Sequence, residues 1–477
     1  NVTVQNLTVT DCSSGNHDSP SSGIYLYNST NTIENVTLTN ITVNNSQLGV
    51  YTVGVTQSNI SQCNLSNNTL IGLYFVNTDY PNLTNSEVNN SGHTATYLEN
   101  SSNYNISGNY MCNNTFYGIY SYNSTTNNIS DNTFWNNELI LASSSIGGGT
   151  NYYHSSYYDH VIEDNTVNGD SLLYYKNNDT GGVLDENNPA GQIIIVNSSN
   201  FIIRNMTLNY SINLPIHIAY SDDINITNCN ISSDDSMGYG IYFIKTNNSD
   251  IYSPNNISYN NIGVMLEYSY NNNITGSNQI FNNTKGIKLS NSNSNKITQA
   301  EIYNSTDGIY LSQSNYTNIS SNIIHNNSGG NGVKLNSSDY NNITLSNSIR
   351  DNNYGIYLLS SNNNNISSNN EIYDNTEDGI QLASNSNNNN ISSINVYDNG
   401  RHGIYLDDSD NNNISSVNVY GNSNKGIHLD SSDSNNITSS NYVYNNTNGI
   451  NLWQSTGNLI NSSYFYNNSQ QGINLGQ

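Results

Sequence analysis

Two pairs of aspartates recur 23 residues apart, Asp407 with Asp430 and Asp410 with Asp433, and Asp408 lies between them. Carboxylates brought to one place on neighbouring turns of chain repel each other. Such columns either gather a hard cation, calcium by preference, or stand as a solvated acidic face. Asp222-Asp223 and Asp234-Asp235 are candidates of the same kind. No other cofactor is implied. The eight histidines are dispersed, and with four Met they form no cluster of the sort copper requires. Cys12, Cys63, Cys112 and Cys229 make no CxxC and no metal spacing. The first three are about two turns apart, beyond the ~7 Å reach of a disulfide, so buried free thiols are expected.

Tyrosine is the most conspicuous residue for contact, with 39 copies. One column follows a recurring glycine by two residues: Tyr25, Tyr51, Tyr74, Tyr97, Tyr120, Tyr242, Tyr310, Tyr357 and Tyr405. Another precedes it: Phe281, Tyr303, Tyr373, Tyr397, Tyr420, Tyr444 and Tyr466. Stacked rings on adjacent strands stabilise a sheet by a few tenths to about 1 kcal/mol per pair. They also make a platform for sugar rings or a protein partner, and Tyr310, Tyr357 and Tyr405 are the candidates for that role. A Tyr/Gly-rich excursion, 143–158, adds Tyr152, Tyr153, Tyr157 and Tyr158, placed either to touch a partner or to pack on the wall.

What positions these residues is a repeat. Gly403-Ile-Tyr-Leu, a polar run, then Asn413-Ile-Ser-Ser-Val-Asn-Val-Tyr returns at Gly426, Gly449 and Gly472, and earlier at Gly379, Gly355, Gly332, Gly308, Gly286, Gly263 and Gly240. Apolar residues alternate within it, and Asn, Ser, Asp and Gly break it, so it reads as short strands and turns. A fixed period of about 23 residues holding two or three strands is one turn of a parallel β-helix. A hexapeptide left-handed coil would need about 18 residues, so the right-handed form with three sheets is expected. The chain then reads as an all-β solenoid of about twenty turns, about 95 Å long. Residues 1–142 and 193–477 are regular, and 143–192 is irregular but continuous with them.

The repeat resembles those of right-handed parallel β-helix proteins of the pectate-lyase-like kind, and most closely the NosD-type repeats of archaeal surface proteins. The stretches His160-Val-Ile-Glu-Asp-Asn-Thr-Val-Asn-Gly-Asp and Ala190-Gly-Gln-Ile-Ile-Ile-Val-Asn carry the likeness. It covers nearly the whole chain and implies the fold. Galacturonan hydrolases of that fold carry Asn-Thr-Asp, Asp-Asp, Gly-His-Gly and Arg-Ile-Lys. Here Asp234-Asp235 matches one element, and neither Gly-His-Gly nor Arg-x-Lys is present. Tyr158-Asp159-His160 resembles the Asp-His of pectate lyases over two residues. On this reading the chain is no enzyme.

Net charge is −25 with ten Lys plus Arg, which excludes a nucleic-acid partner. No apolar run of about 18 residues spans a membrane. About forty Asn-x-Ser/Thr sequons suit an extracellular glycoprotein, with Asn282, Asn326, Asn336, Asn445 and Asn467 as candidates. Opening and closing in mid-repeat suggests bare tips that self-associate head to tail. The expectation is an extracellular structural subunit of an archaeal surface layer, stalk or filament. The alternative is a carbohydrate-binding adhesin using the Tyr columns, and a polysaccharide lyase or hydrolase comes third.

Overall fold

One turn explains the composition. In the computed structural model, Ile404–Asp407, Asn413–Ser415 and Asn418–Tyr420 are the three strands of a turn. Ile404, Leu406, Ile414, Val417 and Val419 point inward and are fully buried. The chain bends between strands at Asp408, Asn411 and Ser416, whose φ values are 48°, 58° and 55°. A left-handed backbone costs most residues about 1–2 kcal/mol, and Asn and Asp tolerate it best. Much of the Asn, Asp and Ser content is therefore corner chemistry. Gly403 has a different reason: a Cβ there would lie 2.3 Å from Val419 Cγ1 and 2.6 Å from the Gly426 carbonyl oxygen.

The structure describes residues 2–12, 21–28, 33–143, 154–209 and 212–476, without the side chains of 234–237. Turn stacks on turn in parallel, with Ile404 opposite Ile427, Ile414 opposite Ile437 and Val419 opposite Val443. The result is an all-β parallel solenoid of about nineteen turns, about 23 residues each. The predicted fold class is the observed one. Among the described residues no helix is long and apolar enough to cross a membrane.

Asparagine also does something the repeat did not announce. Asn327, Asn352, Asn375, Asn399 and Asn422 are buried in one column. Each Nδ2 donates to the next Oδ1, at 2.9, 3.1, 3.0 and 2.9 Å. Each backbone N–H donates to the same oxygen, at 3.1 Å throughout. Ser292, Ser314, Ser338 and Ser361 make a second column, each backbone N–H donating to the next hydroxyl. These columns satisfy the corner amides that sheet pairing leaves unused, as burial demands. All four cysteines are free. Cys63 and Cys229 stand in the same columns, their N–H groups donating to Ser86 Oγ and Asn255 Oδ1.

Among the described residues the parallel ladder is interrupted once. Strand Leu139–Ala142 pairs with Ile119–Tyr122 and ends its six-stranded sheet. Thr166–Val167 meets Asp170–Lys176 antiparallel, and a new ladder starts there with Ala190–Val196. Two buried apolar clusters result: one fills the interior of the second stack, and the other runs through the first stack and on to Ile194, Ala219 and Ile244 across the seam. The seam runs from the end of strand Leu139–Ala142 to strand Ala190–Val196.

Candidate functional site

The seam places outward residues of the second stack against the end of the first. Ile194, His217 and Tyr242 occupy one outward column of the second stack, on strands Ala190–Val196, Ile216–Ala219 and Asn230–Ile244. Ile194 and His217 are fully buried, and Tyr158 packs against His217. The 3₁₀ helix Ser155–Tyr158 brings Tyr158 edge-on to His217, with centroids 5.6 Å apart at 80°. Tyr242 stacks on the other face at 5.2 Å and 15°. The Tyr242 hydroxyl donates to Glu267 Oε2. Asn213 ties the two stacks together, its Nδ2 donating to the Phe116 carbonyl and to Glu138 Oε1, each at 3.0 Å.

These groups surround a cavity of about 280 Å³. Tyr117, Tyr120 and Leu141 wall it from the first stack; Leu214, His217 and Tyr242 wall it from the second. Among the described residues neither ring nitrogen of His217 has a hydrogen-bond partner. Burial drives its imidazole down to about 3, so it is neutral near pH 7. Burial, then the Glu267 charge, raises the Tyr242 phenol well above its usual range. Burial also raises Tyr158, and holds Tyr120 up at about 12.

His160, equally buried, is a useful contrast. Its Nδ1 faces Asn127 Nδ2 at 3.1 Å, and its Nε2 faces the Tyr157 carbonyl at 3.0 Å. That imidazole stands in for an inner Asn of the column. His217 has no such structural employment.

The same outer face carries a groove of about 500 Å³ on the first stack. Tyr74 and Tyr97 form one wall, and Leu70, Ile71 and His93 line it as well. Tyr51, Tyr74 and Tyr97 stack face to face at 5.2 and 4.9 Å, so they offer edges and hydroxyls. Tyr120 turns 53° against Tyr97 and stacks with Tyr117 instead, at 5.2 Å. Tyr117 and Tyr120 line both spaces, so the groove and the seam cavity adjoin at these two rings.

A family model described as "Right handed beta helix region" matches residues 1–172, 191–343, 243–393, 285–442 and 384–477. The chain belongs to the right-handed β-helix family. No curated relative matches it. Similar solved structures include a variant of the periplasmic alginate epimerase AlgG, at 15% identity and TM-score 0.38, over 63% of this chain and 77% of that one. Another is the A-module of the mannuronan C-5 epimerase AlgE4 of Azotobacter vinelandii, at 13% and 0.31, over 80% and 90%. A third is the alginate lyase of Paenibacillus sp. str. FPU-7, at 12% and 0.30, over 62% and 99%. At these values the likeness is one of fold alone. The expectation that this β-helix is no enzyme does not stand: the three structures just named are of carbohydrate-active enzymes with the same fold.

In this β-helix the residues singled out from sequence are scattered. The ring of Tyr310 lies under Lys285 and Lys334, at 5.8 and 5.4 Å, and that of Tyr357 under Lys334 at 5.6 Å. Tyr405 lies under Arg401 at 5.2 Å and stacks on His428 at 4.9 Å. Their faces are occupied by neighbours in the ladder. Tyr152 and Tyr153 lie outside the described residues, Tyr157 is half-buried, and Tyr158 is the one that reaches the cavity. Asp159 pairs with Lys176 at 2.7 Å.

Asp407 and Asp430 do face each other on adjacent turns. Burial, then Asp408 and Asp430, raises the Asp407 carboxyl. Asp410 and Asp433 are spent differently. Asp410 Oδ1 accepts the Asp433 backbone N–H at 2.6 Å, and Asp433 Oδ1 accepts that of Thr456. Among the described residues no group of three or more His, Cys, Asp or Glu is placed to hold a metal. Of the sequon candidates, Asn326, Asn445 and Asn467 are exposed, and Asn282 and Asn336 are half-buried.

The cavity was missed because His217 looked like one of eight dispersed histidines. Its signal was an imidazole between Ile216 and Ile218 in a column whose preceding member is Ile194. That is an apolar outward column, which only a covered face explains.

Proposed function

We propose that this β-helix is an extracellular carbohydrate-binding protein that holds a glycan chain along the groove from Leu70 to Tyr120. The observation that carries this is an aromatic-walled groove that shares Tyr117 and Tyr120 with a part-enclosed cavity on one face of a rigid rod. Turns repeat at about 4.8 Å, close to the advance of a linked pyranose. Ring edges and phenol hydroxyls spaced at that interval suit a ligand whose apolar patches and hydroxyls alternate. The acidic composition and many sequons support an extracellular setting. The rod, about 90 Å for nineteen turns, is stiffened by its buried polar columns and would hold the groove clear of a cell surface as part of a surface layer or stalk.

Glycan-array screening followed by calorimetry on Tyr97→Ala tests the proposal. A loss of at least about tenfold in affinity is expected. Tyr316→Ala, at an exposed ring stacked on Tyr340 and outside the groove, serves as the control. Equal affinities for the two variants, or no glycan bound by the unaltered protein, would overturn the proposal.

A further inference from the structure

We infer that one outer corner of the second stack is a glycan-attachment column, in which acceptor asparagines on consecutive turns exclude one another. The inference is independent of the groove reading. Asn282-Asn-Thr284, Asn304-Ser-Thr306 and Asn326-Asn-Ser328 are sequons. Their acceptors follow Phe281, Tyr303 and His325, which lie opposite one another on successive strands. The three asparagines turn the same corner, with φ of 55°, 53° and 56°. Asn282 is half-buried, and Asn304 and Asn326 are exposed. Among the described residues their carboxamides have no hydrogen-bond partner. They line an open groove of about 710 Å³ together with Thr284, Thr306 and Ser328. The corner then carries Asp351, Asp374, Asp398 and Gly421, and returns to acceptors at Asn445 and Asn467.

Hydrogen bonding separates these sequons from others spelled the same way. Asn365, Asn390 and Asn413 each open an Asn-Ile-Ser sequon within a strand. Each Nδ2 donates to the Asn Oδ1 one turn earlier, at 3.4, 2.8 and 2.7 Å. Each also donates to the Ser Oγ of its own sequon, at 3.1, 2.9 and 3.2 Å. A carboxamide has two N–H donors, so both are spent, and a sugar there would break the ladder. A corner acceptor has both to give. Its Nδ2 bonds to the anomeric carbon of a lipid-phosphate-linked glycan. The bond from that carbon to the phosphate oxygen breaks, the phosphate keeps the electron pair, and one amide proton passes to a base.

Spacing then limits occupancy. Phe281, Tyr303 and His325 stack at 5.0 and 5.1 Å, at 7° and 5° between planes. Flat rings fill that interval. A puckered pyranose, with hydroxyls out of its plane, is thicker, so consecutive turns do not both carry one. A chain bears glycan at Asn282 and Asn326, or at Asn304, and at one of Asn445 and Asn467.

The test is site-by-site glycopeptide mass spectrometry on the chain purified from its native host, unaltered and as Asn304→Gln. Glutamine already holds this left-handed conformation at Gln299 and Gln313, with φ 59° and 50°, so the variant keeps the corner. Glycan is expected at the corner acceptors and not at Asn365, Asn390 or Asn413. Fractional occupancies of adjacent acceptors should sum to no more than one, and Asn304→Gln should raise those of Asn282 and Asn326. Sums above one would overturn the exclusion. Glycan on the strand asparagines at equal occupancy, or none at the corner, would overturn the assignment, whatever the groove from Leu70 to Tyr120 binds.

Discussion

The dipeptide Asn326-Asn327 separates two uses of one residue type. Asn326 is an exposed corner with φ 56°. Asn327 is fully buried. Its Nδ2 donates to the Ile302 carbonyl at 3.4 Å and to Asn352 Oδ1 at 2.9 Å, and its Oδ1 accepts the Ser305 N–H at 2.9 Å. Asn327→Ala removes all three bonds, each worth about 1 kcal/mol, and strands the Ser305 donor at a further cost of about 1–3 kcal/mol. A loss of about 4–6 kcal/mol is expected. Asn326→Gly deletes the same side chain while keeping the bend easy, so its effect should stay within about 0.5 kcal/mol. Solenoids open locally, so the readout is amide hydrogen exchange at Ser305 and its neighbours, backed by urea unfolding. If the two variants lie within about 1 kcal/mol of each other, the buried column is not a stabilising element and the argument fails.

Gly403→Ala should cost about 1–3 kcal/mol through overpacking against Val419 and the Gly426 carbonyl, measured as a lower urea midpoint. Arg401 pairs with the fully buried Asp378 carboxylate, with Nε to Oδ1 at 2.8 Å. Burial raises that carboxyl more than Arg401 lowers it. Arg401→Met should therefore destabilise by about 3 kcal/mol near pH 7, and the deficit should shrink in acid once Asp378 is protonated. A pH-independent deficit would refute this. Buried imidazoles give the opposite slope. His217 falls from its ordinary 6.5 to about 3, and His160 to about 4. The unfolded chain thus binds more protons across that window, and stability drops as pH falls from 6.5 toward 3. His217→Phe should remove about one proton from the acid-unfolding uptake; an unchanged uptake would mean that His217 is charged in the fold.

The fold was legible because each turn writes its inward residues at fixed offsets: Ile404, Leu406, Ile414 and Val419 predict the faces they occupy. The tyrosine columns were legible for the same reason, down to the 4.9 Å stacking of Tyr373, Tyr397 and Tyr420. Asn327 and its column were not, because a polar residue beside a bend looks the same whether it faces water or the interior. The seam was hidden because Leu139-Ile140-Leu141 keeps a perfect strand pattern. What fails there is the pairing with the following turn, and pairing is not a local property. Tyr158 and His217, 59 positions apart, meet only because that pairing fails.

The buried asparagine column has a consequence for how this molecule can change. Every turn presents the next with the same acceptor at the same height, so whole units are interchangeable. Excising 356–379, or duplicating it, would join Gly to Ile and leave each neighbour with an equivalent partner. Length in the second stack is therefore a freely adjustable dimension. The junction at His217 exists in a single copy, and a frame slip of even one unit there would erase it.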